Sequence, residues 1–144
     1  MFNLYSKHNM ILEQKNRELY KIYDENKKLL QQFKTWLKQK NTKEGLITKH
    51  LMHSDFFLNE FLLYMDSTPA KEGYARISMF LGYWVVKKAI WANPIFIKDC
   101  AKSLKEFYTF LHEKGVVEKE SLEFLCRTKF KLSIHLRYVR KIFH

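Results

Sequence analysis

The sequence predicts an all-α protein, a helical bundle of four to six helices, and three observations carry that expectation. Only four glycines and two prolines interrupt 144 residues, too few turn formers for an architecture of many short strands. Apolar residues recur three and four positions apart over long stretches, which is the helical period. The sharpest boundary, Asn93-Pro94, is a helix start: asparagine is a strong N-cap, and proline suits the first helical position, where its missing N–H would have had no partner.

Taken in order, Leu12, Leu19, Ile22, Tyr23, Leu29, Leu30, Phe33 and Leu37 stand at helical spacings and predict one long amphipathic helix from about Leu4 to Lys38. Asn41 and Thr42 end it, with Thr42 expected to cap the next. The second helix runs to about Met65, with Ile47, His50, Leu51, Phe57, Leu58, Phe61, Leu62 and Met65 in one arc, and Asp66, Ser67, Thr68 and Pro69 stop it. A third, about Tyr74 to Trp91, is apolar nearly all round: Ile77, Phe80, Leu81, Trp84 and Trp91 on one side, Met79, Tyr83, Val86 and Ile90 on the other. Such a helix is either central or part of a partner interface. The fourth follows Pro94 to Lys114, and Gly115 supplies the left-handed residue after it.

The C-terminal stretch supports two readings. Phe130, Leu132, Ile134, Leu136 and Tyr138 alternate with Lys129, Lys131, Ser133, His135 and Arg137, the period of a strand, while Leu125, Leu132, Leu136, Val139 and Phe143 fit a helix. Helix is preferred because a lone strand has no sheet to join, with pairing across a dimer as the exception. The organisation expected is therefore an N-terminal amphipathic helix (1–41), a helical core (42–117) and a basic C-terminal segment (118–144), packed as one domain.

A hydrophobic share of 47% with 16% aromatic excludes a disordered tail, since there is ample apolar surface to offset chain entropy. No apolar run reaches the ~20 residues of a membrane span, and the start MFNLYSKHNM lacks a signal pattern, so a cytoplasmic protein is expected. Cys100 and Cys126 are too few for a disulfide framework or zinc ribbon and read as buried free thiols. The net charge of +11 favours a polyanion partner, and it is uneven: +5 over 1–41, +2 over 42–117 and +4 over 118–144.

Chemistry is harder to find. His50 and His53 form H-x-x-H, a spacing that serves metals, yet no further ligand stands at a motif-like distance, so a core role and no metal or other cofactor are expected. Trp84 and Trp91, with Tyr83, could stack unpaired bases, but aromatics at helical spacing are normally core. No GxGxxG, P-loop, G-x-S-x-G or H-E-x-x-H is present, and a non-enzymatic protein is expected.

From Thr42 onward the order of features is familiar: T-K-E-G-L-I-T-K-H, then F-L-N-E-F-L-L-Y-M (Phe57 to Met65), I-S-M-F-L-G-Y-W (Ile77 to Trp84), and N-P leading into S-L-K-E-F-Y-T-F-L-H-E-K-G-V-V. Over residues 42–117 this resembles the core-binding, SAM-like domain of tyrosine recombinases and phage integrases. The resemblance implies a compact helical bundle that clamps one side of duplex DNA through backbone contacts. His135-Leu136-Arg137-Tyr138 is one residue short of the family's H-x-L-R box and lacks its companion arginine, so no recombinase active site is expected.

Two function classes compete. The first is a small non-catalytic DNA-binding or DNA-associated accessory protein contacting phosphates through Lys98, Lys102 and Lys105 and the cluster Arg127, Lys129, Lys131, Arg137, Arg140 and Lys141. On the helix after Pro94 those three lysines, with Thr109 and His112, lie opposite the apolar half, beside an acidic line of Asp99, Glu106 and Glu113. If intrahelical pairs such as Asp99–Lys102 or Lys102–Glu106 form, the face is merely solvated. The second is a helical protein-interaction module, including a homodimer, anchored by Met79, Tyr83, Val86 and Ile90.

Overall fold

The computed structural model describes residues 4–65, 67–88 and 93–123, with side-chain surroundings from residue 13 onward. The chain forms a small all-α bundle, and among the described residues there is no strand. The long first helix, α1, spans Leu4–Gln39. Asn41 closes it in a left-handed conformation (φ 61°), donating its N–H to Lys38 O, while Thr42 N–H reaches back to Leu37 O. That double closure is a Schellman arrangement with asparagine in the glycine's usual place. It corrects the expected role of Thr42: the residue completes the end of α1, and Lys43 stands at the N-cap of α2 (Glu44–Asp55) without a side-chain capping bond.

Helix α2 continues without a break into π-helical turns over Phe56–Leu62. Ser67 (φ 48°) then turns the chain, Thr68 N–H bonds Leu62 O, and the Thr68 hydroxyl donates to Met65 O. The stretch after Pro69, expected to be a connection until about Tyr74, is instead a 3₁₀ helix over Ala70–Arg76. Next come α3 (Ile77–Met79), π-helical turns Phe80–Trp84, and α4 (Val85–Lys88) as one helical run. Helix α5 (Pro94–Glu113) starts as the sequence predicts, with the Asn93 side chain accepting from Phe96 N–H at 2.8 Å, and ends at Gly115 (φ 85°). Residues 119–123 are helical. Among the described residues no helix is long and apolar enough to cross a membrane.

The two π-helical stretches face one another. Phe56, Phe57 and Phe61 from the first meet Phe80 and Trp84 from the second, with ring centroids 4.9 to 5.8 Å apart. Tilted and edge-on pairs of this kind add to the area they bury. A second aromatic set ties α1 to α5 through Phe33, Trp36, Phe107 and Phe110. Between them Tyr108 is fully buried, its hydroxyl donating to Ala70 O at 2.7 Å, and Gly73 packs against it with no room for a side chain. Cys100 is a buried free thiol, and desolvation, with Asp99 nearby, pushes it up to about 12. Cys126 and the segment read as helix or strand lie outside the described residues.

Candidate nucleic-acid interface

Helix α5 presents its core side to α2 and α1, burying Ile97, Cys100, Leu104, Phe107, Tyr108 and Leu111. Lys98, Lys102 and Lys105 lie on the opposite pole, all exposed, and none makes an ion pair among the described residues. The rises between them are ~6 and ~4.5 Å along the axis. The intrahelical pairs that would neutralise them, Asp99–Lys102 and Lys102–Glu106, do not form.

The acidic line is occupied elsewhere. Glu106 pairs with Lys40 at 3.5 Å, and Lys40 also lies 4.2 Å over the Trp36 ring. Glu113 accepts the Trp36 indole N–H at 2.6 Å. Helix α1 thus anchors two of the three α5 acids on the side toward the bundle, leaving the lysine row to solvent. Two further members of the expected row serve the helix itself: the Thr109 hydroxyl donates to Lys105 O, and His112 Nδ1–H donates to Val117 O across the helix end.

The H-x-x-H pair has a structural partner that sequence reasoning did not name. His50 Nδ1 and His53 Nδ1 both hydrogen-bond the buried Ser103 Oγ, at 2.8 and 2.7 Å. One hydroxyl hydrogen can serve only one of them, whereas the oxygen can accept from both, so at least one of the two rings carries its proton on Nδ1 and donates to Ser103 Oγ. Phe96 stands edge-on to His53 at 5.3 Å. Among the described residues no group of three or more His, Cys, Asp or Glu side chains is arranged to hold a metal ion.

Burial lowers the pKa of both histidines below 6.5, against the opposing pull of Glu106 on His50 and of Asp99 on His53; Lys49 and the neighbouring imidazole add to the lowering at His53. Because the folded values lie below the unfolded one, the unfolded chain takes up protons first as pH falls through about 6.5. The histidine contribution to stability is therefore complete above that pH and declines below it. Thermal melts from about pH 7.5 to 5.5 should show a falling midpoint, and His50→Gln with His53→Gln should remove most of that slope.

Of the expected interface residues, Met79 and Tyr83 are 45% and 55% exposed, one turn apart, with Lys87 Nζ 4.7 Å from the Tyr83 ring centroid. Val86 is half-buried against the core, and Ile90 lies outside the described residues, as does Trp91. Trp84 belongs to the aromatic cluster rather than to a base-stacking platform. Arg127, Lys129, Lys131, Arg137, Arg140 and Lys141 also lie outside the described residues. Against known proteins, no family model, no curated protein and no solved structure matches this chain.

Proposed function

We propose that this chain is a non-catalytic, DNA-associated protein, resembling a recombinase core-binding domain, that lays the outer face of α5 along the phosphate backbone of duplex DNA. The observation that carries this reading is the division of charge on α5: Glu106 and Glu113 are engaged by Lys40 and Trp36, while Lys98, Lys102 and Lys105 are exposed and make no ion pair among the described residues. Three lysines on one pole of a rigid helix can each neutralise a phosphate and release its counterion, without reading base sequence. The net charge of +11, to which the basic residues from Arg127 to Lys141 contribute, supplies the long-range attraction.

Anisotropy of a labelled duplex in a salt titration tests this reading. Binding at about 50 mM salt that weakens linearly on a double-logarithmic plot is the expected result; no binding at micromolar protein overturns it. The exposed pair Met79 and Tyr83 favours a second reading, a protein-contacting module, under which association is insensitive to salt.

A further inference from the structure

Along the side of the bundle, α1, α2 and the π-helical turns Phe56–Leu62 enclose a furrow. Three adjoining hollows of about 390, 420 and 310 Å³ run end to end, the first two sharing Tyr23 and Asn59 and the last two sharing Lys34, Leu51 and Met52. From Asn16 to Lys38 the furrow follows α1 for 22 residue steps, which at 1.5 Å each is ~33 Å. Its apolar lining is not covered: Tyr20 is 71% exposed, Tyr64 77% and Met52 61%. The two walls are tied together by a hydrogen-bond chain in which buried Asn26 donates to Asn59 and Asn59 donates to Asp55.

The charges along it are graded. On α1, Lys27, Lys34 and Lys38 line the furrow, and Glu13 and Asp24, with Arg17 between them in sequence, stand at its edge toward the N-terminal end. Glu60 adds to the acidic end beside Tyr20, and Asp55 and Glu44 are the two acids lining the basic part. A parallel neighbour of the same kind would set lysine on lysine. An antiparallel one sets Glu13 opposite Lys38 and Asp24 opposite Lys27, twice over by symmetry, against one like-charge pairing of Arg17 with Lys34, and brings the Tyr20–Tyr64 end against Met52.

We infer that the occupant of this furrow is a second copy of the chain, docked through the same surface about a two-fold axis with the two α1 helices antiparallel. Such an interface is self-complementary, as a two-fold contact must be. A strip ~33 Å long and two helix diameters (~20 Å) wide buries ~660 Å² per copy, about 1,300 Å² in all, within the range of specific interfaces. The lysine row of α5 is not part of it, so self-association and DNA binding are separable.

Sedimentation equilibrium of the full chain at tens of micromolar reads the proposal directly, with a mass of twice 17.5 kDa expected. Tyr20→Lys or Met52→Lys, both at exposed positions, should weaken the dimer by about tenfold or more, whereas Tyr83→Lys, on another face, should leave it unchanged. Glu13→Lys and Lys38→Glu should each weaken it by about threefold, and the double variant should restore it. These two positions are 25 steps, ~38 Å, apart on one straight helix, so restoration reports contact between copies. A monomer at that concentration overturns the inference, as does a dimer broken by Tyr83→Lys but not by Met52→Lys, or a double variant no better than the singles.

Discussion

Replacing Lys98, Lys102 and Lys105 together by alanine should weaken duplex-DNA binding by about 100-fold near 0.1 M salt, taking roughly 1 kcal/mol for each charge-assisted phosphate contact. The salt slope should fall by about 2.7, because each phosphate contact contributes about 0.9. Alanine is the best helix former, and all three positions are exposed, so the fold should be undisturbed. The decisive comparison is an α1 variant with Lys15, Lys21 and Lys28 changed to alanine, also exposed and equal in net charge. If both triple variants lose affinity equally, only diffuse charge matters and α5 is no interface.

The largest loss of stability from a single methyl group is expected at Gly73. A Cβ there would overlap Leu62 Cδ1, sit 2.6 Å from the Tyr108 hydroxyl and 3.3 Å from Phe57 Cε1. Tyr108 is fully buried and holds Ala70 O, so it cannot yield without leaving a buried carbonyl unpaired. Overpacking costs about 1–3 kcal/mol and the lost hydrogen bond about 1–2 more. Gly73→Ala should therefore destabilise by about 3 kcal/mol and lower the melting midpoint by ~10 °C. Gly45→Ala, where nothing lies within 4 Å, is the matched control and should leave the midpoint unchanged or slightly raised. Equal behaviour of the two variants would show that the contact around Gly73 is not tight.

Much of this fold is legible in the residues. Asn93-Pro94 and Gly115 bound α5 because caps and left-handed positions are set by local chemistry that few residue types satisfy. The all-α class and the buried sides of α1, α2 and α5 follow from periodicity. Thr42 was harder to place, because a threonine can begin one helix or close another, and the Asn41 turn decided between them. The 3₁₀ helix Ala70–Arg76 follows a proline and contains a glycine, which reads as connection; its shape is set by Tyr108 and Phe57 crowding Gly73 from distant parts of the chain. The π-helical turns have no sequence signature, since they depend on aromatic side chains meeting across two helices.

At the candidate interface, spacing alone identified the lysine row but could not say whether its acidic neighbours would neutralise it. That depended on Lys40 and Trp36, more than sixty residues away in sequence. The furrow was likewise invisible: Tyr20, Tyr23, Met52 and Tyr64 belong to two helices whose relative placement no local pattern encodes.

Helix α1 is geometrically one element but thermodynamically two in series. From Asn26 to Leu37 its turns are anchored by buried Asn26, Phe33 and Leu37, so opening them exposes core and costs a share of global unfolding. Between Glu13 and Glu18 every side chain is exposed, and the turns there persist only by propagation from the anchored half. Helix–coil equilibrium near the N-terminus is thus uncoupled from the melting of the bundle, giving a fraying boundary close to Leu19. That boundary moves toward the N-terminus only when something lies against the free turns.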